Sequence, residues 1–189
     1  PADDVWLSMV GLHEAGCTQL LTNLLGAEQA ECLTRQSQHR YDLLVDSGLP
    51  LKPGARELLQ DLFDLGVPMA VATSTRSERA RTKLARSNIA HYFRHVVTSS
   101  DVLHPKPAPD LYLLAAERLG LAPHHCLALE DSEFGVRAAS AAGIRVIQVP
   151  DLLPATELSR SLAEVVSSLE GARAILESWL QPAPGQNYG

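Results

Sequence analysis

The segment ALEDSEFG, Ala128 to Gly135, decides the architecture. Just before it, Cys126-Leu127-Ala128-Leu129 is a short apolar run bounded by turn residues, the pattern of a strand buried on both faces. That run stops at two adjacent acids, Glu130 and Asp131. A buried carboxylate without a partner costs several kcal/mol, so either positive charge lies close by or the pair opens onto solvent. A helix then reads from Glu133 to Ala142, closed by Gly143. A buried strand running through a polar turn into a helix is one unit of a parallel α/β sheet.

Working outward, the same alternation repeats. A helix over 55–65 ends at Gly66 and is followed by a strand through Val67 to Ala72, which stops at the hydroxyl cluster Thr73-Ser74-Thr75. A basic helix from Arg76 to Arg86, a short strand around Val96-Val97 and a helix from Pro107 to Leu119, with Pro109 and Asp110 in its first turns, lead to the acid-ended strand. Ile144 to Val149 is the last strand, and two short helices, Leu158 to Leu169 and Ala172 to Leu180, precede a terminal tail. This pattern predicts an α/β, Rossmann-like parallel sheet covered on both faces.

Upstream the pattern changes. Gly11 to about Asp46 is helical throughout, with one apolar stripe through Leu12, Ala15, Cys17, Leu20, Leu21, Leu24 and Leu25 and a later one through Leu33, Tyr41, Leu44 and Val45. Gly48-Leu49-Pro50-Leu51-Lys52-Pro53-Gly54 then packs two prolines and two glycines into a short linker. The expected division is a small all-helical unit over 1–50 and an α/β core over 51–189.

Composition narrows the functional classes. A chain of 189 residues with 46% hydrophobic content can bury a sizeable core, and a net charge of −6 without a Lys/Arg block argues against nucleic acid as a partner. The three cysteines, Cys17, Cys32 and Cys126, lack metal or disulfide spacing and read as small buried hydrophobes of a reduced compartment. No apolar run is long enough for a bilayer and PADDVW is acidic where a secretory leader is basic, so no membrane partner and a cytoplasmic location are expected.

In an open parallel sheet the ligand crevice lies beyond the carboxyl ends of the strands. Three such ends carry chemistry here: Thr73-Ser74, Lys106 in HPKPAPD, and Glu130-Asp131-Ser132. Two hard carboxylates suit magnesium, hydroxyls and backbone N–H groups at a helix start suit a phosphate, and a lysine between prolines adds a fixed positive charge. Together they point to metal-assisted phosphoryl chemistry. Each group also has a plainer reading. Glu130 and Asp131 can complement the dipole of the following helix, Ser74 or Thr75 can cap the Arg76 helix, and Lys106 can be a solvated loop lysine. Arg76, Arg79 and Arg81 read as a solvated basic face, and His104 as structural.

These residues resemble the haloacid dehalogenase-like hydrolases, in the branch of small phosphatases and phosphomutases that includes beta-phosphoglucomutase. VATST is similar to the family's second motif, KPAPDLY to its third and LALEDSEFGVRAASAAG to its fourth. The resemblance implies that Thr73 and Ser74 bind phosphate, that Lys106 is the catalytic lysine, and that Glu130 and Asp131 help hold Mg2+. It implies a helical cap over 1–50, incomplete at its N-terminus, in which His13 and Glu14 fall where relatives contact the leaving group; an ordinary exposed helix start is the other reading of those two. The substrate it implies is a small phosphorylated metabolite, hydrolysed through an aspartyl-phosphate. A phosphomutase and an inactive binding module of the same fold are the alternatives.

One part of the resemblance is missing. The family's first motif is a strand ending in Asp-x-Asp, whose first aspartate is the nucleophile, and this sequence has no Asp-x-Asp. The family's first strand lies between the strands here ending at Thr73 and Glu130, so a core without it exposes two unpaired strand edges. The expectation is therefore that the nucleophile belongs to a segment upstream of Pro1, outside this chain.

Overall fold

In the computed structural model, which describes residues 9, 14–46, 48 and 50–180, the chain opens as a helical hairpin. Helices α1 (Glu14–Leu25) and α2 (Ala27–Asp46) meet at Gly26, whose φ of 83° lies in the left-handed region that side chains disfavour. The sequence reads one continuous helical pattern there. The glycine breaks it by donating its N–H to Thr22 O and accepting from Ala30 N across the corner.

Beyond the Pro/Gly linker the elements alternate: α3 (Ala55–Asp64), β1 (Ala70–Thr73), α4 (Ser77–Arg86), β2 (His95–Thr98), α5 (Asp110–Leu119), β3 (Leu127–Glu130), α6 (Glu133–Ala141), β4 (Arg145–Gln148), α7 (Glu157–Leu162), β5 (Glu164–Val165) and α8 (Leu169–Leu180). Every strand pairing is parallel, β1 with β2 and β3 with β4 with β5. The strand β5 corrects the sequence reading, which runs a helix through to Leu169. The chain leaves the helix after Leu162, Val165 pairs with Gln148, and Val166 N donates to Gln148 O at 2.9 Å. The edge of β4 offers backbone partners to a β-branched pair, and that outweighs a weak local helix pattern.

Successive residues of a strand point to opposite faces, and here both faces are covered. On one side Ala128, Ile144 and Val146 pack with Val136, Ala138, Ala139 and Ala142 of the α6 region. On the other, Leu127, Ile147 and Val149 pack with Leu58 and Leu62 of α3 and with Ala172 and Leu176 of α8. Leu111 and Ala115 of α5 cover Val97 of β2, while Tyr112, the next residue along from Leu111, joins the cluster over β3 and β4. Helix α5 thus spans both strand groups.

Among the described residues β1 and β3 do not pair. Between them runs a groove of about 640 Å³, lined by Ala70 to Ala72 on one side and Leu127 to Leu129 on the other, with Tyr112 among its walls. It lies at the gap expected between the strands ending at Thr73 and Glu130. The three cysteines are free, but Cys32 is exposed and the other two only half-buried, so none is the fully buried hydrophobe expected. No helix among the described residues is long and apolar enough to cross a membrane.

Candidate active site

The carboxyl ends of β1 and β3 and the loop after β2 converge on a pocket of about 420 Å³ lined by Thr73, Ser74, Lys106, Glu130, Asp131 and Lys52. The residues expected to act together are therefore brought together. His13 and the Glu14 side chain lie outside the described residues.

Thr73 is the last residue of β1, and its Oγ1 accepts the Thr75 N–H at 3.1 Å, which folds the turn and leaves its own O–H to be donated elsewhere. The cap of α4 is Arg76, with no side-chain capping bond. The capping alternative for Ser74 and Thr75 is thereby corrected, and Ser74 stands on the pocket wall.

A hydroxyl relay ties this turn to the loop that carries Lys106. Ser77 Oγ lies 2.7 Å from Thr98 Oγ1; the Thr98 O–H and N–H both donate to Asp101 Oδ2, at 2.6 and 2.9 Å, and Arg118 donates to Asp101 Oδ1 at 2.9 Å. The Thr98 hydroxyl bond, with Arg118 behind it, holds the Asp101 carboxyl below its usual value against the opposing effect of burial.

Lys106 is no solvated loop lysine, being 8% exposed. Its ammonium donates to Ala72 O of β1 at 3.1 Å and to Oε1 of Glu130 on β3, so that it bridges the two strand ends, and it stands 4.9 Å from the centre of the Tyr112 ring. The Tyr112 O–H donates to the same Oε1. Glu130 Oε2 accepts the Asp131 N–H at 3.2 Å and the Ser132 O–H at 3.5 Å. This answers why a buried strand ends in acids: Glu130 turns inward, where a cation and three other donors meet it. Burial first, then the Glu130 charge, push the Tyr112 phenol well above its usual range, so it stays a donor.

The turn after β3 is built to receive that carboxylate. Ser132 caps α6 by accepting the Gly135 N–H at 3.2 Å. A Cβ at Gly135 would sit 2.0 Å from both Cδ and Oε2 of Glu130, so only glycine fits there.

Asp131 differs from its neighbour. Asp131 is exposed, its side chain on the pocket wall, and the protein beside it desolvates it only in part. That desolvation, then the Glu130 charge, raise its carboxyl above the usual value, and the Lys106 charge only partly opposes them. Two carboxylates stand side by side at this mouth. A hard divalent ion suits it, since the donors are oxygens. Among the described residues no group of three or more His, Cys, Asp or Glu stands together, so Glu130 and Asp131 by themselves could offer only part of a coordination shell.

Two groups escaped the sequence reading, one on the pocket wall and one behind it. Lys52, in the linker, donates to Pro150 O at 3.2 Å and Asp151 Oδ1 at 2.9 Å, and its only signal was a cation inside the Pro/Gly stretch. Tyr112 was visible as the last residue of KPAPDLY. His104 pairs with Asp110 at 2.9 Å on the surface. The basic face of α4 is less solvated than expected, because Arg79 reaches Asp42 of α2 at 3.6 Å and Lys83 lies over the Tyr41 ring at 4.8 Å.

The chain has relatives. Residues 6–143 match the sequence profile described as haloacid dehalogenase-like hydrolase. The fructose-1-phosphate phosphatase YqaB of Escherichia coli is 46% identical over 82 residues, 43% of this chain and 44% of that protein. The bifunctional riboflavin kinase/FMN phosphatase of Arabidopsis thaliana is 40% identical over 137 residues, 72% of this chain and 35% of that protein. The chain thus spans less than half the length of either relative. The crystal structure of beta-phosphoglucomutase from Clostridium difficile superimposes with a TM-score of 0.78 at 19% identity, covering 95% of this chain and 82% of that one, which shows a shared fold.

Proposed function

The chain belongs to the haloacid dehalogenase-like hydrolases, and from that membership and the pocket's geometry we propose that it is part of a magnesium-dependent phosphatase acting on a small phosphate monoester. The observation that carries this reading is the convergence of the Thr73 hydroxyl, the Lys106 ammonium and the Asp131 carboxylate on one pocket at the strand ends. The relatives named for fructose-1-phosphate and FMN both take small phosphorylated metabolites, which fits a pocket of this size.

In this reading the Thr73 O–H donates to a phosphoryl oxygen and Ser74 offers a second donor beside it. Lys106, pinned by Glu130 and Ala72 O, neutralises charge that grows on the phosphoryl group, and because it is already placed it does so without reorganising. Asp131, with Glu130 beside it, would hold magnesium, which when bound would supply Lewis-acid neutralisation of the phosphate oxygens. The nucleophile is an aspartate outside this chain, carried on a strand that occupies the groove between β1 and β3. Its carboxylate attacks phosphorus, the P–O bond to the alcohol breaks as the leaving oxygen takes a proton from the second aspartate of the same upstream motif, and water hydrolyses the acyl phosphate to return the aspartate and release phosphate. The helical hairpin, tied to α4 through Asp42 and Tyr41, acts as the cap that excludes bulk water, with His13 and Glu14 reading the leaving group.

The test is Asp131→Ala in the full-length protein, assayed with p-nitrophenyl phosphate and magnesium. Hydrolysis is expected to vanish. Normal turnover by that variant refutes the assignment.

A further inference from the structure

We propose that Tyr112 is a positioning residue of this site, its phenol holding the Glu130 carboxylate inward and thereby fixing Lys106 at the pocket floor. The inference rests on the phosphatase reading above and deepens it. Glu130 has two oxygens with different duties. Oε1 receives both the Lys106 ammonium and the Tyr112 O–H, while Oε2 faces the Asp131 N–H and Ser132. Without the Tyr112 donor, Oε1 is held by Lys106 alone and the carboxylate by the longer Oε2 contacts, so the placement of Lys106 rests more heavily on Ala72 O.

Tyr112 is suited to this in three ways. It is 7% exposed, so no water competes for the phenol's place. It comes from α5, which packs on the β1–β2 pair, while its ring lies in the cluster over β3 and β4; a donor mounted there fixes Glu130 relative to the other strand group. Its ring also faces the ammonium at 4.9 Å, a second contact that favours the cation at that spot. Lys106, Glu130 and Tyr112 therefore form one closed triangle of contacts beneath the pocket.

The experiment is a double-mutant cycle in the full-length protein, using Tyr112→Phe, Glu130→Gln and the pair. Phenylalanine keeps the ring and the volume and removes one hydrogen bond to a charged acceptor, so kcat for p-nitrophenyl phosphate is expected to fall about tenfold with KM little changed. In the Glu130→Gln background the same change is expected to cost nearly nothing further, because the group through which Tyr112 acts is already altered. Inorganic phosphate affinity, read by titration calorimetry, is expected to weaken in Tyr112→Phe and to be insensitive to it in Glu130→Gln. Equal losses in both backgrounds, or unchanged kcat and phosphate affinity in Tyr112→Phe, overturn the proposal. Absence of hydrolysis by the unmutated protein overturns the phosphatase reading instead, and the phosphate titrations still judge Tyr112.

Discussion

Replacing Gly135 by alanine tests the inward carboxylate with a single methyl group. In an ordinary helix interior the change favours folding by about 1 kcal/mol. Here the new Cβ falls 2.0 Å from Glu130 Cδ and Oε2 and 2.2 Å from Oε1, separations no real contact permits. The end of a glutamate is flexible, but this one is held by Lys106, Tyr112 and the Asp131 N–H, so moving it means breaking a buried ion pair. Such a break costs about 3–5 kcal/mol, which leaves a net destabilisation of ~2–4 kcal/mol after the helix gain. For a chain of this length that corresponds to a fall of roughly 10 °C in Tm. Urea unfolding followed by circular dichroism should show a lower midpoint at unchanged slope. The same substitution in a Glu130→Ala background meets no carboxylate, so its sign should reverse to a gain of about 1 kcal/mol. Gly135→Ala at or above the stability of the parent, or a penalty of the same size in both backgrounds, would refute the reasoning.

Two pH predictions complement it, with opposite signs. The Asp131 carboxyl is raised in the folded state, so the folded chain holds a proton that the unfolded chain releases near the ordinary carboxyl value of 3.8; stability falls as pH rises from there through the raised value and stays lower at neutrality. Asp131→Asn should therefore be the more stable protein at pH 7, by an amount that shrinks toward pH 3, and magnesium should raise the Tm of the parent but not of the variant. Asp101 is held down, so its contribution is present above the unfolded value and is lost as pH falls through the folded one. Asp101→Asn should cost about 1–3 kcal/mol at pH 7, the scale of hydrogen bonds to a charged group, and the difference should close in acid. Chemical denaturation across pH checks both.

The correspondence between pattern and structure was closest where local and tertiary demands agree. Leu127 to Leu129 had to be a strand, because a short apolar run between turns has few other uses, and Val146-Ile147 repeats the case; Leu129 is nonetheless 38% exposed, beside the groove rather than covered. Gly66, Gly120 and Gly143 end helices with positive φ, as backbone chemistry demands. The misreading of Glu164-Val165 came from a partner distant in sequence, since the edge of β4 is invisible in local periodicity. The single-glycine corner at Gly26 was blurred for a different reason: apolar stripes on both sides continue the helical period without a gap.

Motif order alone determined which residues would gather, because in a parallel α/β sheet every strand's carboxyl end faces the same crevice, whatever the side chains do. Thr73, Lys106 and Asp131 follow from that rule. The division of labour between Glu130 and Asp131 does not. Adjacent acids look alike in sequence, and only the packing of α5 and α6 turned one of them inward onto Lys106 and Tyr112 while leaving the other at the pocket's mouth. The physical reason is that a carboxylate's role depends on how much water and how many donors surround it, and those come from residues up to 24 positions away in the chain.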